Sequence, residues 1–250
     1  MLRPVSRASH RPPLWRSSFT SSGTRTLRPY RLPNVSRETK MKTEVAAKKT
    51  LVDIGVSRET IKQLEAYLEL LRIWNRSTNL VGARSLNEVW SRHVLDSAQI
   101  CSLVDLEGGP LFDLGSGAGF PGMVLAILGC RRVSLIESSK KKCLFLSHVS
   151  RTLGLTVEVV NSRVECYKPE ERAKFVTSRA LASVKTLIGY SQPLVSEDGR
   201  CFFWKGKNLD QELTEVKNSW SMEIEQLSSI TSVEGKILAI SKLGLQNNRP

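Results

Sequence analysis

The sequence predicts an α/β fold, a doubly wound and mostly parallel sheet of seven strands preceded by a helical extension. Three observations carry this expectation. From Pro110 onward, short apolar runs alternate with helical patterns, the order that builds a parallel sheet. Glycines at 115, 117 and 119 follow the first run, where such a sheet turns from strand into helix. Two strand-like runs close the chain without a helix between them, which predicts a terminal antiparallel pair.

The elements follow in order. Between Ser57 and Asn75, Ile61, Leu64, Leu68, Leu71 and Trp74 recur at helical spacing with Glu59, Glu65 and Glu69 between them, so one apolar stripe is buried. Ser85-x-x-Glu88 has the pattern of a capping box and predicts a second helix through Val89, Trp90 and Val94. The predicted strands are Pro110–Leu114, Val133–Ile136, Val157–Val160, Phe175–Ser178 and Arg200–Trp204, then runs near Met222–Leu227 and Lys236–Ile240. Phe202, Phe203 and Trp204 read as core. Residues 41–108 thus form the helical part and residues 109–250 a Rossmann-like sheet.

Residues 1–40 differ in kind. The chain carries a net charge of +13, and residues 1–37 supply eight Arg with no Asp, Glu or Lys. The remainder is only mildly basic, a balance compatible with a polyanionic partner. Arg, Ser and Pro without apolar periodicity cannot bury enough surface to fold alone. An acid-poor, Arg- and Ser-rich start resembles an organelle transit peptide. Five prolines between Pro4 and Pro33 disfavour the amphipathic helix such peptides form, so a true start at Met41 is the preferred reading. No run approaches transmembrane length. Cysteines 101, 130, 143, 166 and 201 fall at no metal-ligand spacing, and with three histidines no metal site is expected.

The segment Leu111-Phe112-Asp113-Leu114-Gly115-Ser116-Gly117-Ala118-Gly119-Phe120-Pro121-Gly122 carries the chemistry. Its glycines let the backbone turn sharply and a ligand approach without Cβ interference. Asp113, just before them, suits a ligand with a positive or hydrogen-donating part, and S-adenosyl-L-methionine has an ammonium group beside its sulfonium. Gly117-x-Gly119-x-x-Gly122 also matches the dinucleotide fingerprint, so an NAD-dependent oxidoreductase is the competing reading. Glu137, ending the second strand, would meet ribose hydroxyls in either case. Pro121 removes a backbone N–H that would otherwise hold a pyrophosphate, which favours the methyl donor.

Ligands in such sheets bind beyond the carboxyl ends of the strands. After the third strand, Val164 and Glu165 are placed to meet an adenine, although Glu165 also reads as a solvated carboxylate. After the fourth, Arg179 stands beside the expected transfer point, either touching cofactor or substrate in a positioning role or held in a structural ion pair. Lys140, Lys141 and Lys142, with Arg131 and Arg132 nearby, read equally as a solvated face or as a phosphate track. Arg92-His93, close to Asp96, is a second candidate. There is no Asn/Asp-Pro-Pro-Tyr string to hold an exocyclic amine and no nucleophilic Pro-Cys. A ring nitrogen with a free lone pair needs neither, and guanine N7 is one. Catalysis then reduces to alignment and charge stabilisation.

Together, Trp74-Asn75-x-x-x-Asn79-Leu80, Arg92-His93-Val94-Leu95-Asp96-Ser97, the glycine loop, Ser162-Arg163-Val164-Glu165, Ser178-Arg179-Ala180 and Lys205-Gly206 resemble the RsmG (GidB) family of bacterial ribosomal RNA methyltransferases. The resemblance spans about residues 50–240. It implies a class I methyltransferase sheet, S-adenosylmethionine as cofactor, and N7-methylation of a guanine in the decoding region of small-subunit (16S) rRNA. The implied substrate is the assembled or assembling subunit. The family's cofactor contacts would fall on Gly115, Phe120, Val164, Glu165 and Arg179; Asp113, Gly117 and Glu137 join them from the residue reading above. Arg92, His93 and Lys205 match positions that face the RNA or brace the pocket. A monomer in the bacterial cytoplasm is expected, or a mitochondrial or plastid matrix if the extension is retained. An RNA-binding protein with a non-catalytic methyltransferase fold is the remaining alternative.

Overall fold

The computed structural model describes residues 44–216 and 219–245. The extension of residues 1–40 lies outside the described residues. The chain opens with α1 (Glu44–Asp53) and α2 (Arg58–Asn75). Ser57 caps α2, its Oγ accepting from the Thr60 backbone N–H at 3.1 Å. The buried face of α2 is Leu64, Tyr67, Leu68 and Leu71, the i, i+3, i+4, i+7 set of an amphipathic helix. Ile61 and Trp74 pack at its margin.

The expected capping box does not form. Ser85 lies inside the short α3 (Ala83–Asn87), whose N-cap is Gly82, and Glu88 closes that helix by donating its N–H to Ser85 O at 3.3 Å. A π-helical turn, Trp90–Leu95, then runs into α4 (Asp96–Ala98). Tertiary packing decides this, because Trp90, His93, Val94 and Leu95 are all buried.

The sheet comprises β1 (Leu111–Leu114), β2 (Val133–Glu137), β3 (Val157–Asn161), β4 (Ala173–Arg179), β5 (Val195–Lys205), β6 (Trp220–Ser228) and β7 (Lys236–Leu245). Their order is β3-β2-β1-β4-β5-β7-β6. The first five are parallel, whereas β7 pairs antiparallel with both β5 and β6. This is the seven-stranded, doubly wound sheet that the sequence predicts, including its antiparallel end. All four residues of β1 and all five of β2 are buried, as central strands require. Helices α5 (Gly122–Ile127) and α6 (Lys140–Thr152) join the N-terminal helices on one face, and α7 (Val184–Ser191) and α8 (Leu209–Thr214) pack on the other. Strand β1 pairs with β2 on one side and β4 on the other, so the winding reverses there and opens a crevice at the carboxyl edge. Among the described residues no helix is long and apolar enough to cross a membrane.

Candidate functional site

The crevice is built around the β1–α5 loop. Gly115, Gly117 and Gly119 have φ of +68°, +58° and +98°, a region in which only glycine is unstrained. Gly115 and Ser116 both donate their N–H to Ile136 O, at 2.9 and 3.1 Å, which pins the loop across the end of β2. The Gly117 N–H donates to Glu137 Oε2 at 2.9 Å and the Ser139 N–H to Glu137 Oε1 at 2.7 Å. Glu137 therefore holds the glycine loop from below and ties it to the start of α6.

Asp113 faces inward and is fully buried. Its Oδ1 accepts from Thr177 Oγ1 at 2.8 Å and its Oδ2 from the Gly122 N–H at 3.3 Å. Burial pushes its pKa up to about 6, against the lowering effect of these bonds. The carboxylate thus ties β1 to β4 and to the start of α5, and its role is to shape the loop from behind.

The other wall comes from the N-terminal helices. Tyr67 on α2 donates its hydroxyl to Ala118 O, in the middle of the glycine loop, at 2.5 Å. Its ring packs against Phe120, with centroids 5.5 Å apart, and Phe120 stacks on His93 at 4.6 Å. The His93 Nδ1 accepts from Arg179, at the end of β4, and the Arg179 guanidinium also lies 5.9 Å over the Phe120 ring. Arg179 Nη1 stands 3.5 Å from Asp96 Oδ2. A continuous row of rings and donors therefore runs from α2, past the glycine loop, to the carboxyl edge of β4.

Asp96 is fixed by Gln99 and by groups remote in sequence. Its Oδ1 accepts from Gln99 Nε2, Ser229 Oγ and Thr231 Oγ1 at 2.7, 2.8 and 2.9 Å, and its main-chain oxygen from Trp204 Nε1 at 3.2 Å. Next to Arg179, Ala180 adopts a positive φ of 55°, and Leu181, 38% exposed, lies across Gly115. Strain of this kind in a non-glycine residue concentrates where a ligand binds.

On the β3 side, Val164 is buried in the 3₁₀ turn Val164–Cys166. Glu165 is exposed and accepts from the Tyr190 hydroxyl at 2.6 Å, a bond that holds its carboxyl below the usual range.

A family model described as rRNA small subunit methyltransferase G (GidB) matches residues 60–241. The chain belongs to this family. It is 40% identical over 200 residues to "Ribosomal RNA small subunit methyltransferase G" of Paramagnetospirillum magneticum, covering 80% of this chain and 97% of the relative. It is 42% identical over 186 residues to the protein of that name from Gluconobacter oxydans, covering 74% and 95%. Among solved structures, the ribosomal protein L11 methylase of Lactobacillus delbrueckii subsp. bulgaricus superposes with a TM-score of 0.49 at 16% identity, covering 60% of this chain and 78% of that one. Family membership displaces the oxidoreductase alternative.

Of the residues expected at the cofactor, Gly117 is bonded to Glu137, Phe120 lies under Arg179, Val164 packs in the core cluster of Leu114 and Ile136, and Glu165 is exposed. The three residues expected at the RNA or the pocket wall part company. Arg92 is exposed, 3.5 Å from Glu88. His93 is buried against Phe120. The Lys205 ammonium is turned inward, donating to Ala182 O at 2.9 Å and pairing with Glu212 at 2.7 Å, so it braces the strap after β4.

The basic cluster is also divided. Arg131 and Arg132 precede β2 and pair with Glu107 and Glu171, whereas Lys140, Lys141 and Lys142 follow it at the crevice edge. Three lysines in the first turn of α6 oppose the helix dipole, an arrangement that an external anion would relieve. Among the described residues, no group of three or more His, Cys, Asp or Glu is placed to hold a metal.

Two residues of the site escaped the sequence reading. Tyr67 continues the Leu64, Leu68, Leu71 stripe, and that periodicity marks it as buried, though not as a tether of the loop. Leu181 had no local signal.

Proposed function

We propose that the protein transfers a methyl group from S-adenosylmethionine to N7 of a guanine in the decoding region of small-subunit rRNA, acting as a monomer on the assembled or assembling subunit. Membership of the small-subunit rRNA methyltransferase family carries the reading, and the crevice supports its finer parts. Leu181 covers the glycine loop closely, since a Cβ at Gly115 would stand 2.7 Å from Leu181 Cδ1, so any side chain there would press on the residue over the loop. Glu137 would receive the ribose, Val164 and Glu165 the adenine, and Phe120 and Arg179 the amino-acid half. The bound cofactor would supply an electrophilic methyl on sulfur.

N7 as the target atom is what the family resemblance implies, and the carboxyl edge of β4 supports it. Ser178-Arg179-Ala180 offers no general base, because the Ser178 hydroxyl donates to Leu114 O at 2.9 Å and Arg179 carries only donors. No activated thiol is at hand either. Cys201 is buried in β5, where burial pushes its thiol up to about 12, and Cys166 lies beyond the adenine side. Guanine N7 needs neither base nor nucleophile, since its lone pair attacks the methyl directly. The protein then orients base, methyl and sulfur and excludes water. With translation from Met41 the compartment is the bacterial cytoplasm.

The test offers labelled S-adenosylmethionine and small subunits lacking the modification to protein beginning at Met41, followed by nucleoside separation. Label in 7-methylguanosine is expected. Label in another nucleoside would refute the N7 assignment, and no label with cofactor bound would refute the substrate.

A further inference from the structure

Between β4 and α7 the chain passes through a strap, residues 180–183, in which Leu181 keeps 38% of its surface exposed. The other large apolar side chains left exposed among the described residues stand on α1, α2, α6, β6 and the β6–β7 turn. The end of Leu181 rests on the glycine loop, so close that a Cβ on Gly115 would meet its Cδ1, Cδ2 and Cγ at 2.7, 3.1 and 3.1 Å. The strap is fixed on both sides of it. Before Leu181, Ala180 holds the left-handed φ of 55°, which a non-glycine residue keeps only where its surroundings enforce it. Beyond it, Lys205 donates to Ala182 O at 2.9 Å and Glu212 accepts from the Val184 N–H at 2.6 Å. Lys205 and Glu212 are themselves paired at 2.7 Å and largely buried. Removing an ion pair from water costs desolvation that a simple strand-to-helix connection does not require.

We propose that Leu181 is the apolar wall on which the target base is seated and that the Lys205–Glu212 pair is the clamp that positions it, an inference that rests on the rRNA-guanine reading above. Enzymes that do chemistry on a base take it out of its stack and hold it against apolar or aromatic side chains. The cofactor is the poorer occupant. Its amino-acid half and sulfonium are charged and call for polar partners, which a leucine lacks, and its adenine is assigned to Val164 on the β3 side. A base instead presents two flat faces that need covering, and a fixed apolar surface over the glycine loop, two residues past Arg179, covers one of them. Leu181 touches the base, whereas Lys205 and Glu212 are positioning residues that act through the strap. None of the three takes part in making or breaking bonds.

The test compares methyl transfer to small subunits lacking the modification with calorimetric affinity for S-adenosylhomocysteine. Leu181→Ala should lower kcat/KM for the subunit about tenfold, the worth of covering the exposed part of a leucine. Its affinity for S-adenosylhomocysteine should stay within about threefold of wild type. Leu181→Met, which restores an apolar surface of similar volume, should recover most of the loss. Glu212→Gln keeps an acceptor for the Val184 N–H and loosens the hold on Lys205. It should lower kcat/KM in the wild-type background and cost little further in Leu181→Ala, because the clamp acts through that side chain. If Glu212→Gln does not fold, Glu212→Asp, which keeps the charge and shortens the reach, makes the same comparison. An undiminished kcat/KM in Leu181→Ala would make Leu181 an ordinary surface side chain, and an equal loss of S-adenosylhomocysteine affinity would make it a cofactor contact; either result overturns the wall. Losses that simply add in the double variant overturn the clamp. Wild-type protein that binds S-adenosylhomocysteine but methylates no subunit would overturn the substrate reading itself and the inference with it.

Discussion

Replacing Tyr67 by Phe removes one oxygen atom and tests how far the N-terminal helices govern the glycine loop. The Tyr67 side chain is fully buried, and its hydroxyl donates to Ala118 O at 2.5 Å. A Phe ring keeps the packing on Phe120 and Phe145, at 5.5 and 6.4 Å, so almost no cavity opens. What is lost is the hydrogen bond, and what remains is a loop carbonyl stripped of its donor. That combination costs about 1–3 kcal/mol.

Part of this cost appears as stability. For a domain of this size about 1 kcal/mol lowers the melting temperature by roughly 2–4 °C, so a fall of several degrees is expected. The rest appears in ligand affinity, because Ala118 sits between Gly117 and Gly119 and its carbonyl sets the plane of the peptide that follows it. Thermal unfolding and calorimetry with S-adenosylhomocysteine measure the two parts separately. A variant with unchanged melting temperature and unchanged affinity would show that the tether does not organise the loop.

Three further substitutions probe other parts of the site. Gly115→Asp should abolish cofactor binding and cost some stability, because the new side chain presses on Leu181 Cδ1 and takes a φ of +68°; undiminished affinity by calorimetry would move the site elsewhere. Asp113→Asn should alter the pH dependence of stability. Between about pH 4 and 6 the folded protein keeps a proton on Asp113 that the unfolded chain has lost, so this group makes stability fall with pH by about 1.4 kcal/mol per unit. The stability of Asp113→Asn relative to wild type should therefore rise with pH across that window in chemical denaturation, and a flat difference would refute the buried, proton-holding carboxyl. Changing Lys140, Lys141 and Lys142 together to Ala should leave cofactor affinity intact. The slope of log affinity for the subunit against log salt should become shallower by about 0.7–0.9 for each phosphate that the lysines neutralise. An unchanged slope would return these lysines to an ordinary solvated face.

Sequence alone determined the sheet and its ligand edge. The strands around Leu111, Val133, Phe175 and Arg200 are legible because burial on both faces leaves short apolar runs, and the edge strand around Val157 is legible from its valines. Helix α2 is legible from its stripe, and Gly115, Gly117 and Gly119 from the conformations that only glycine adopts freely. The family motifs lie in the same local strings. Each of these signals is complete within about a dozen residues, the reach of backbone geometry and periodicity.

Side-chain partners needed the tertiary structure. Asp113 reads locally as a carboxylate offered to a ligand, yet it is turned inward because Thr177 arrives from β4, 64 residues later. Asp96 meets Ser229 and Thr231 across more than 130 residues, and Tyr67 reaches Ala118 across 51. Arg131, Arg132 and the lysine run are neighbours in sequence but flank opposite ends of β2, because an extended strand carries the chain from one edge of the sheet to the other. Ser85 has a capping pattern and no helix to cap, since burial of Trp90 and Val94 sets the local geometry. The pairing of His93 with Arg179 exists only once the crossovers have brought the N-terminal helices against the end of β4.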